Sequence, residues 1–272
     1  MPTINTNVNA IQVQNALTHN KLAMTKAMDE LSSGLRVKAA ADDAASLAIG
    51  NQMSARIVSL NQAVRNANDG ISMIQTADGA TKVMVDMLTR MRELAIQASN
   101  DTYGTSDAQA LNTEFGELKN AMTSIITDTS WNGKKLLNGD SASTTYQVGA
   151  SGASTDGVTV AFASLSSLTV LSAAGLTNRT DAQAAMTSTE NDLATVNSNR
   201  ATWGAAMNRL SHAASNSGNV SMNLSASKSR LVDADYAKAT ADLARAQIIE
   251  AAGTAMLSQA NQQSVMVLQL LR

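Results

Sequence analysis

The chain has 272 residues, a formal net charge of -2 and a hydrophobic fraction of 44%, yet only 3% of its residues are aromatic. Large rings usually help fill the centre of a globule this long, so the composition points to thin contacts along elongated elements of Ala, Val, Leu, Ile and Met rather than one spherical core. Cysteine is absent, His19 and His212 are the only histidines, and no basic stripe is visible, which excludes disulfides and thiolate zinc sites and argues against nucleic acid as a partner.

Pro2 is the only proline, so nothing further along prevents helices far longer than the average of about 11 to 12 residues. The N-terminus has neither the charged leader nor the apolar core of a secretory signal, and no segment approaches the roughly 20 apolar residues that span a bilayer. No membrane partner is expected, and any export would use another route.

In the first segment Ala10, Leu17, Met24 and Leu31 recur every seven residues, with Met28 and Leu35 in a neighbouring row, a stripe of coiled-coil type. Gly34 supplies a helix stop. Asp42-Asp43 offer acceptors to the free N–H groups of a second helix, which carries Leu47, Ile57, Leu60, Val64, Ile71, Ile74, Met84, Leu88 and Met91 on to about Asn100. Asn100-Asp101 and Gly104 break the pattern, and Ser106-Asp107 cap a third helix with Leu111, Phe115, Leu118, Met122 and Ile125 on one face. Trp131-Asn132-Gly133 then turns the chain.

From Ser141 to about Thr180 the composition shifts to Ser, Thr, Gly and Ala, and Thr144 to Val148 and Val158 to Phe162 read as a hairpin, the only β signal. Helical spacing returns with Leu193, Val196, Arg200, Trp203, Met207 and Leu210, then, after a looser Ser/Asn/Gly stretch, with Val220, Leu224 and Leu231. In the last segment Ile249, Gly253, Met256, Ala260, Gln263, Val267 and Leu270 alternate spacings of four and three. The expected fold is mainly α: a long antiparallel helical bundle with coiled-coil character, its terminal helices paired, and a small β-hairpin region at its tip.

Each terminal stripe is only two residues wide per heptad, while ordering a residue costs about 1 to 2 kcal/mol of backbone entropy. The ends of an isolated monomer are therefore expected to be partly disordered and to order when copies pack side by side. Leu17, Met24, Leu31, Met256, Val267 and Leu270 are the expected assembly residues.

Chemistry finds little purchase. Asp42-Asp43 and Asp233 with Asp235 read as helix caps, since acid–base work needs a positioned partner and a pocket. His19 and His212 have no ligand at metal spacing, and Gly149, Gly152 and Gly157 lack the phosphate-loop arrangement. No catalytic residue, cofactor or metal is expected. The turn at Ser151, Gly152, Ala153 and Ser154 reads as solvent-facing and tolerant of substitution. Arg90, Leu94 and Gln97, at i, i+4 and i+7, read from spacing alone as a solvated stripe beside the apolar row of Met84, Leu88 and Met91.

Leu31-Ser32-Ser33-Gly34-Leu35-Arg36 followed by Ala40-Ala41-Asp42-Asp43-Ala44-Ala45 resembles the N-terminal signature of bacterial flagellin. Asn66-Ala67-Asn68-Asp69-Gly70-Ile71-Ser72, Arg90-Met91-Arg92-Glu93-Leu94-Ala95-Ile96-Gln97, Asn132-Gly133-Lys134-Lys135-Leu136 and the tail from Ala246-Gln247-Ile248 to Leu270-Leu271-Arg272 agree with it. The resemblance covers about residues 1–140 and 180–272. It implies a filament subunit, exported unfolded through the flagellar type III channel and polymerised beneath a cap, and it leaves no role for an enzyme.

The resemblance also implies an inner assembly domain from residues 1–41 and 233–272, a rod-like domain from 42–140 and 181–232, and a short β-containing tip at 141–180 in place of the variable domain. Its implied partners are further copies of the chain, sister flagellins, an export chaperone, the filament cap, hook-junction proteins and Toll-like receptor 5. In flagellins of this type the stretch Arg90 to Gln97, Leu94 included, with Glu114 on the next helix, is subunit contact surface and is recognised by that receptor. Lys38, Ser46, Thr89 and Trp131 depart locally from the family pattern, and Ser264, where proline is frequent, leaves the last helix uninterrupted. Two other readings have a similar outline: a hook–filament junction protein, against which the Ala252-Gly253-Thr254-Ala255-Met256 match argues, and a chemoreceptor-type signalling hairpin, which the uncharged β segment opposes.

Overall fold

The computed structural model describes residues 6–151, 153 and 156–270, with 263–270 described by backbone alone. The chain divides into two units, Met1–Ala55 with Asn223–Arg272, and Arg56–Met222. Both divisions fall inside helices, α2 (Ala44–Ala98) and α4 (Arg179–Val232).

In the first unit α1 (Val8–Ser33) pairs with α5 (Tyr236–Leu270). Asn7 caps α1 by accepting from the Ala10 N–H at 3.0 Å. Gly34 ends it in the left-handed region at φ 70°, its N–H donating to the Glu30 carbonyl at 2.9 Å, a conformation that glycine adopts without the Cβ penalty. The linker that follows docks on the end of α4: the Arg36 and Val37 N–H groups both donate to the Val232 carbonyl, and the Arg36 guanidinium reaches the Leu231 carbonyl at 2.6 Å. α5 continues unbroken past Ser264, as its lack of proline implies.

Asp43 caps α2, accepting at 3.0 Å from the backbone N–H of both Ala45 and Ser46 and at 2.5 Å from the Ser46 hydroxyl. The hydroxyl bond is the largest of the causes that hold the Asp43 carboxyl below its ordinary range. A depressed carboxyl contributes stability above its unfolded-state value and loses that contribution as pH falls through the folded one. Asp43→Ala is therefore expected to lower the melting temperature at neutral pH and to leave it unchanged in strong acid, where the wild-type carboxyl is already protonated. Parallel thermal melts across the acid range check this.

The second unit holds most of α2 and α4 with α3 (Thr105–Asp128), in which Asp107 accepts from the Gly104 N–H at 3.2 Å. Strands β1 (Ser130–Trp131) and β2 (Lys134–Lys135) form a minimal antiparallel hairpin. Its two central residues, Asn132 at φ 48° and Gly133 at φ 78°, supply the positive dihedrals that a tight hairpin needs. Sequence reading sees only a turn here, because two-residue strands have no alternation to detect.

β3 (Ser143–Gln147) pairs with β4 (Gly157–Ala161), each beginning one residue before its expected start, with Thr144 opposite Val160 and Tyr146 opposite Val158. The core gathers Met84, Leu88 and Met91 of α2, Phe115 and Met122 of α3, Phe162, and Trp203 and Leu210 of α4. Trp203 anchors the small sheet: its indole N–H donates to the Ala161 carbonyl at 2.9 Å and its ring lies 5.9 Å from that of Phe162. Buried Asp192 organises the 3-10 turn Thr169–Ser172, accepting from the Thr169 and Val170 N–H groups at 2.9 and 2.8 Å.

The looser stretch after Leu210 is continuous helix. Its small residues allow close approach: buried Ser217 donates to the Val148 carbonyl at 3.2 Å and buried Ser221 to Asn61 at 2.9 Å. Gly70 serves the same end, since a Cβ there would lie 3.0 Å from the Tyr146 ring and 3.1 Å from Leu210. Gly70→Val should overpack this contact and cost about 1 to 3 kcal/mol of stability, read by denaturant titration.

Candidate functional site

Leu17, Met24 and Leu31 are all half-buried, and with Ala10 and Ala27 they line one side of α1. The register of the seam with α5 is antiparallel. The Tyr236 hydroxyl donates to the Leu31 carbonyl at 3.0 Å, the Asn20 amide to the Ala246 carbonyl at 2.7 Å, and the Asn7 amide to the Ala260 carbonyl at 2.9 Å. Ala246, Gly253 and Ala260 place a small residue on α5 every heptad, and a Cβ on Gly253 would stand 2.7 Å from a Leu17 methyl. Three of the expected assembly residues therefore fill an intramolecular seam.

Met256 lies elsewhere. It is 61% exposed, next to exposed Ile249 one heptad earlier and Ile248. On α1 the outward apolar residues are Val8, Ile11, Leu22 and Met28. The spacing of Ile11 and Leu22, three helical turns apart, is the signal that could have found an outward face here; the stronger heptad masks it. Val267 and Leu270 lie on α5, but their side chains fall outside the described residues, as do Gly152 and Ser154 of the turn expected to tolerate substitution. Ser151 of that turn is not without partners, since its backbone N–H and hydroxyl both bond Asp156.

In the second unit the guanidinium of half-exposed Arg90 donates from Nε to Glu114 at 2.8 Å and from Nη1 to Glu93 at 3.0 Å. These two carboxylates, Glu114 first, push the Arg90 proton affinity up. Gln97 is exposed and donates to the Tyr103 hydroxyl at 3.3 Å. Leu94 departs from the expected stripe: at 1% exposure it belongs to the core, because the inward face of α2 passes through Met84, Leu88, Met91 and Leu94. The accessible surface is thus Arg90, Glu93, Gln97, Tyr103 and Glu114, with Leu94 beneath as support.

A cleft of about 640 Å³ in the first unit is lined by charges of both signs, including Lys26, Arg36, Asp233, Lys238 and Asp242. Among the described residues no group of three or more side chains could hold a metal ion, and no helix is long and apolar enough to cross a membrane.

Helices from the two ends of the chain, zipped together with apolar residues left facing outward, define a mainly α coiled-coil subunit with surfaces for association. The models of the bacterial flagellin N-terminal helical region and the bacterial flagellin C-terminal helical region match residues 4–142 and 186–271. The chain is similar to the flagellin of Halalkalibacterium halodurans, 43% identical over 270 residues and 99% of each chain, and to that of Bacillus subtilis, 37% identical over 304 aligned positions and 99% of each. It also resembles the crystal structure of Bacillus cereus flagellin, with a TM-score of 0.52 and 32% identity over 56% of this chain and 88% of that one. The chain belongs to the bacterial flagellin family. It is a structural subunit that self-assembles into the flagellar filament, the extracellular appendage of swimming motility.

Proposed function

We propose that filament growth proceeds through the outward faces of the paired terminal helices, with Met256, Val267 and Leu270 in contacts between copies and Leu17, Met24 and Leu31 bracing the seam behind them. The observation that carries this reading is the set of large apolar side chains left exposed on both paired helices among the described residues, Ile11 and Leu22 on α1 and Ile249 and Met256 on α5 among them. Contacts that join unlike surfaces without closing a ring generate an open helical array. In this reading residues 1–41 and 233–272 form the inner assembly domain, 42–140 and 181–232 the surrounding domain, and 141–180 the tip.

The subunit leaves the cell unfolded through the flagellar type III channel without a cleaved signal, escorted by an export chaperone, and adds beneath the cap to a filament that begins at the hook-junction proteins. Sister flagellins co-assemble where present. The Arg90, Gln97 and Glu114 surface, supported by Leu94, serves both as a lateral subunit contact and as the feature read by Toll-like receptor 5.

If assembly buries that surface, depolymerised subunits should stimulate a Toll-like receptor 5 reporter cell more strongly than filaments at equal mass. Arg90→Ala removes both charge-assisted bonds and should weaken signalling by about tenfold or more, while also lowering the filament melting temperature. The isolated subunit should melt almost unchanged, since exposed ion pairs contribute little. Unchanged signalling rejects the receptor role, and unchanged filament melting rejects the lateral contact.

A further inference from the structure

The geometry points to Met256 as a redox-sensitive modification site: a hydroperoxide oxidises its thioether in the unassembled subunit, and the resulting sulfoxide keeps that subunit out of the growing filament. The effect on growth rests on the assembly reading given above. Of the methionines, Met73, Met84, Met91 and Met122 are at most 3% exposed, whereas Met28, Met222 and Met256 are 49%, 64% and 61% exposed, and of these three Met256 is the one on the C-terminal helix α5. Its neighbour Gly253 faces the α1 seam, so the Met256 side chain emerges beside the seam near exposed Ile249.

The step balances with a hydroperoxide as the only co-reactant. A sulfur lone pair attacks the distal oxygen, the O–O bond breaks and an S–O bond forms. The sulfur is oxidised by two electrons and hydrogen peroxide is reduced to water. The product is a polar, chiral side chain in place of a flexible apolar one, and a contact that buries it must desolvate a strong acceptor without a donor. Sulfoxide reductases reverse the change, so the modification acts as a switch.

The test uses full-length subunits carrying Met28→Leu and Met222→Leu, which remove the other exposed methionine side chains recorded among the described residues. Monomers and filaments are treated with hydrogen peroxide, oxidation is assigned residue by residue by peptide mass spectrometry, and polymerisation is followed by sedimentation. Met256 should oxidise before Met84 and Met91, and several-fold faster in monomers than in filaments. Oxidised monomers should show a critical concentration raised roughly tenfold, restored by methionine sulfoxide reductase, whereas adding Met256→Leu should abolish the peroxide effect.

Full oxidation of Met256 with an unchanged critical concentration overturns the switch, as does a Met256→Leu protein that remains equally sensitive. Equal oxidation rates in monomer and filament overturn the idea that growth covers the site. Met256→Gln, a polar replacement made without peroxide, separates the two readings. Normal growth of that variant sinks the assembly contact itself, whereas defective growth beside unaffected oxidised subunits sinks the redox proposal alone.

Discussion

Removal of residues 256–272 is expected to abolish filament growth while the unit Arg56–Met222 remains folded. The large buried side chains of that unit, Phe115, Phe162, Trp203, Met84 and Leu88, pack within one cluster drawn from the same unit. The deletion removes the exposed Met256 and the half-buried Leu257 and Ala260, along with the bond from Asn7 to the Ala260 carbonyl. What remains of the seam from Ala239 to Gly253 leaves the far end of α1 without a partner, and an isolated helix end is marginal in water. Electron microscopy should show no filaments. Near-ultraviolet circular dichroism should retain the signature of an immobilised Trp203. Filaments of normal length would reject the assembly role of the tail, and loss of the tryptophan signal would reject the independence of the second unit.

Trp203→Ala should have the largest effect on the subunit itself. The side chain is 1% exposed, packs on Phe162 and donates a hydrogen bond that ties the Ala161 carbonyl of the small sheet to α4. Truncating a buried aromatic ring to alanine costs about 3 to 5 kcal/mol, a large share of the roughly 5 to 15 kcal/mol that holds a domain together. Chemical denaturation followed by far-ultraviolet dichroism measures it. Trp203→Phe should recover much of the loss, because it retains most of the apolar volume and gives up the hydrogen bond. A loss below about 1 kcal/mol for the alanine variant would contradict the burial of this residue.

The long helices were legible because their limits are written locally. Gly34 can take the left-handed cap, Asp43 can accept from the first turn of α2, and Asp107 can reach back to Gly104. The buried faces of α2 and α3 follow from apolar residues spaced at helical period, as Leu88, Met91, Phe115 and Met122 bear out. The hairpin from residue 143 to 161 was visible through its alternating, charge-poor strands. Hidden signals were of two kinds. The hairpin at residues 130–135 is too short to carry a period, and the serine-rich stretch of α4 reads as loose because its small residues serve close approach rather than apolar burial.

The sequence by itself determined that this chain is built from long helices, that both ends carry heptad stripes, and that its family is the flagellins. Tertiary structure alone decided which stripe faces inward. On α5 the row of Ala246, Gly253 and Ala260 and the row of Ile249 and Met256 differ by a fraction of a turn, and period alone cannot choose between them. Close helix packing favours the row with small residues, because a Cβ at position 253 would stand 2.7 Å from a Leu17 methyl and push it aside. The same limit applies at Leu94: a spacing of four from Arg90 places it near the surface stripe, and it turns inward because the neighbouring elements close over that side of α2.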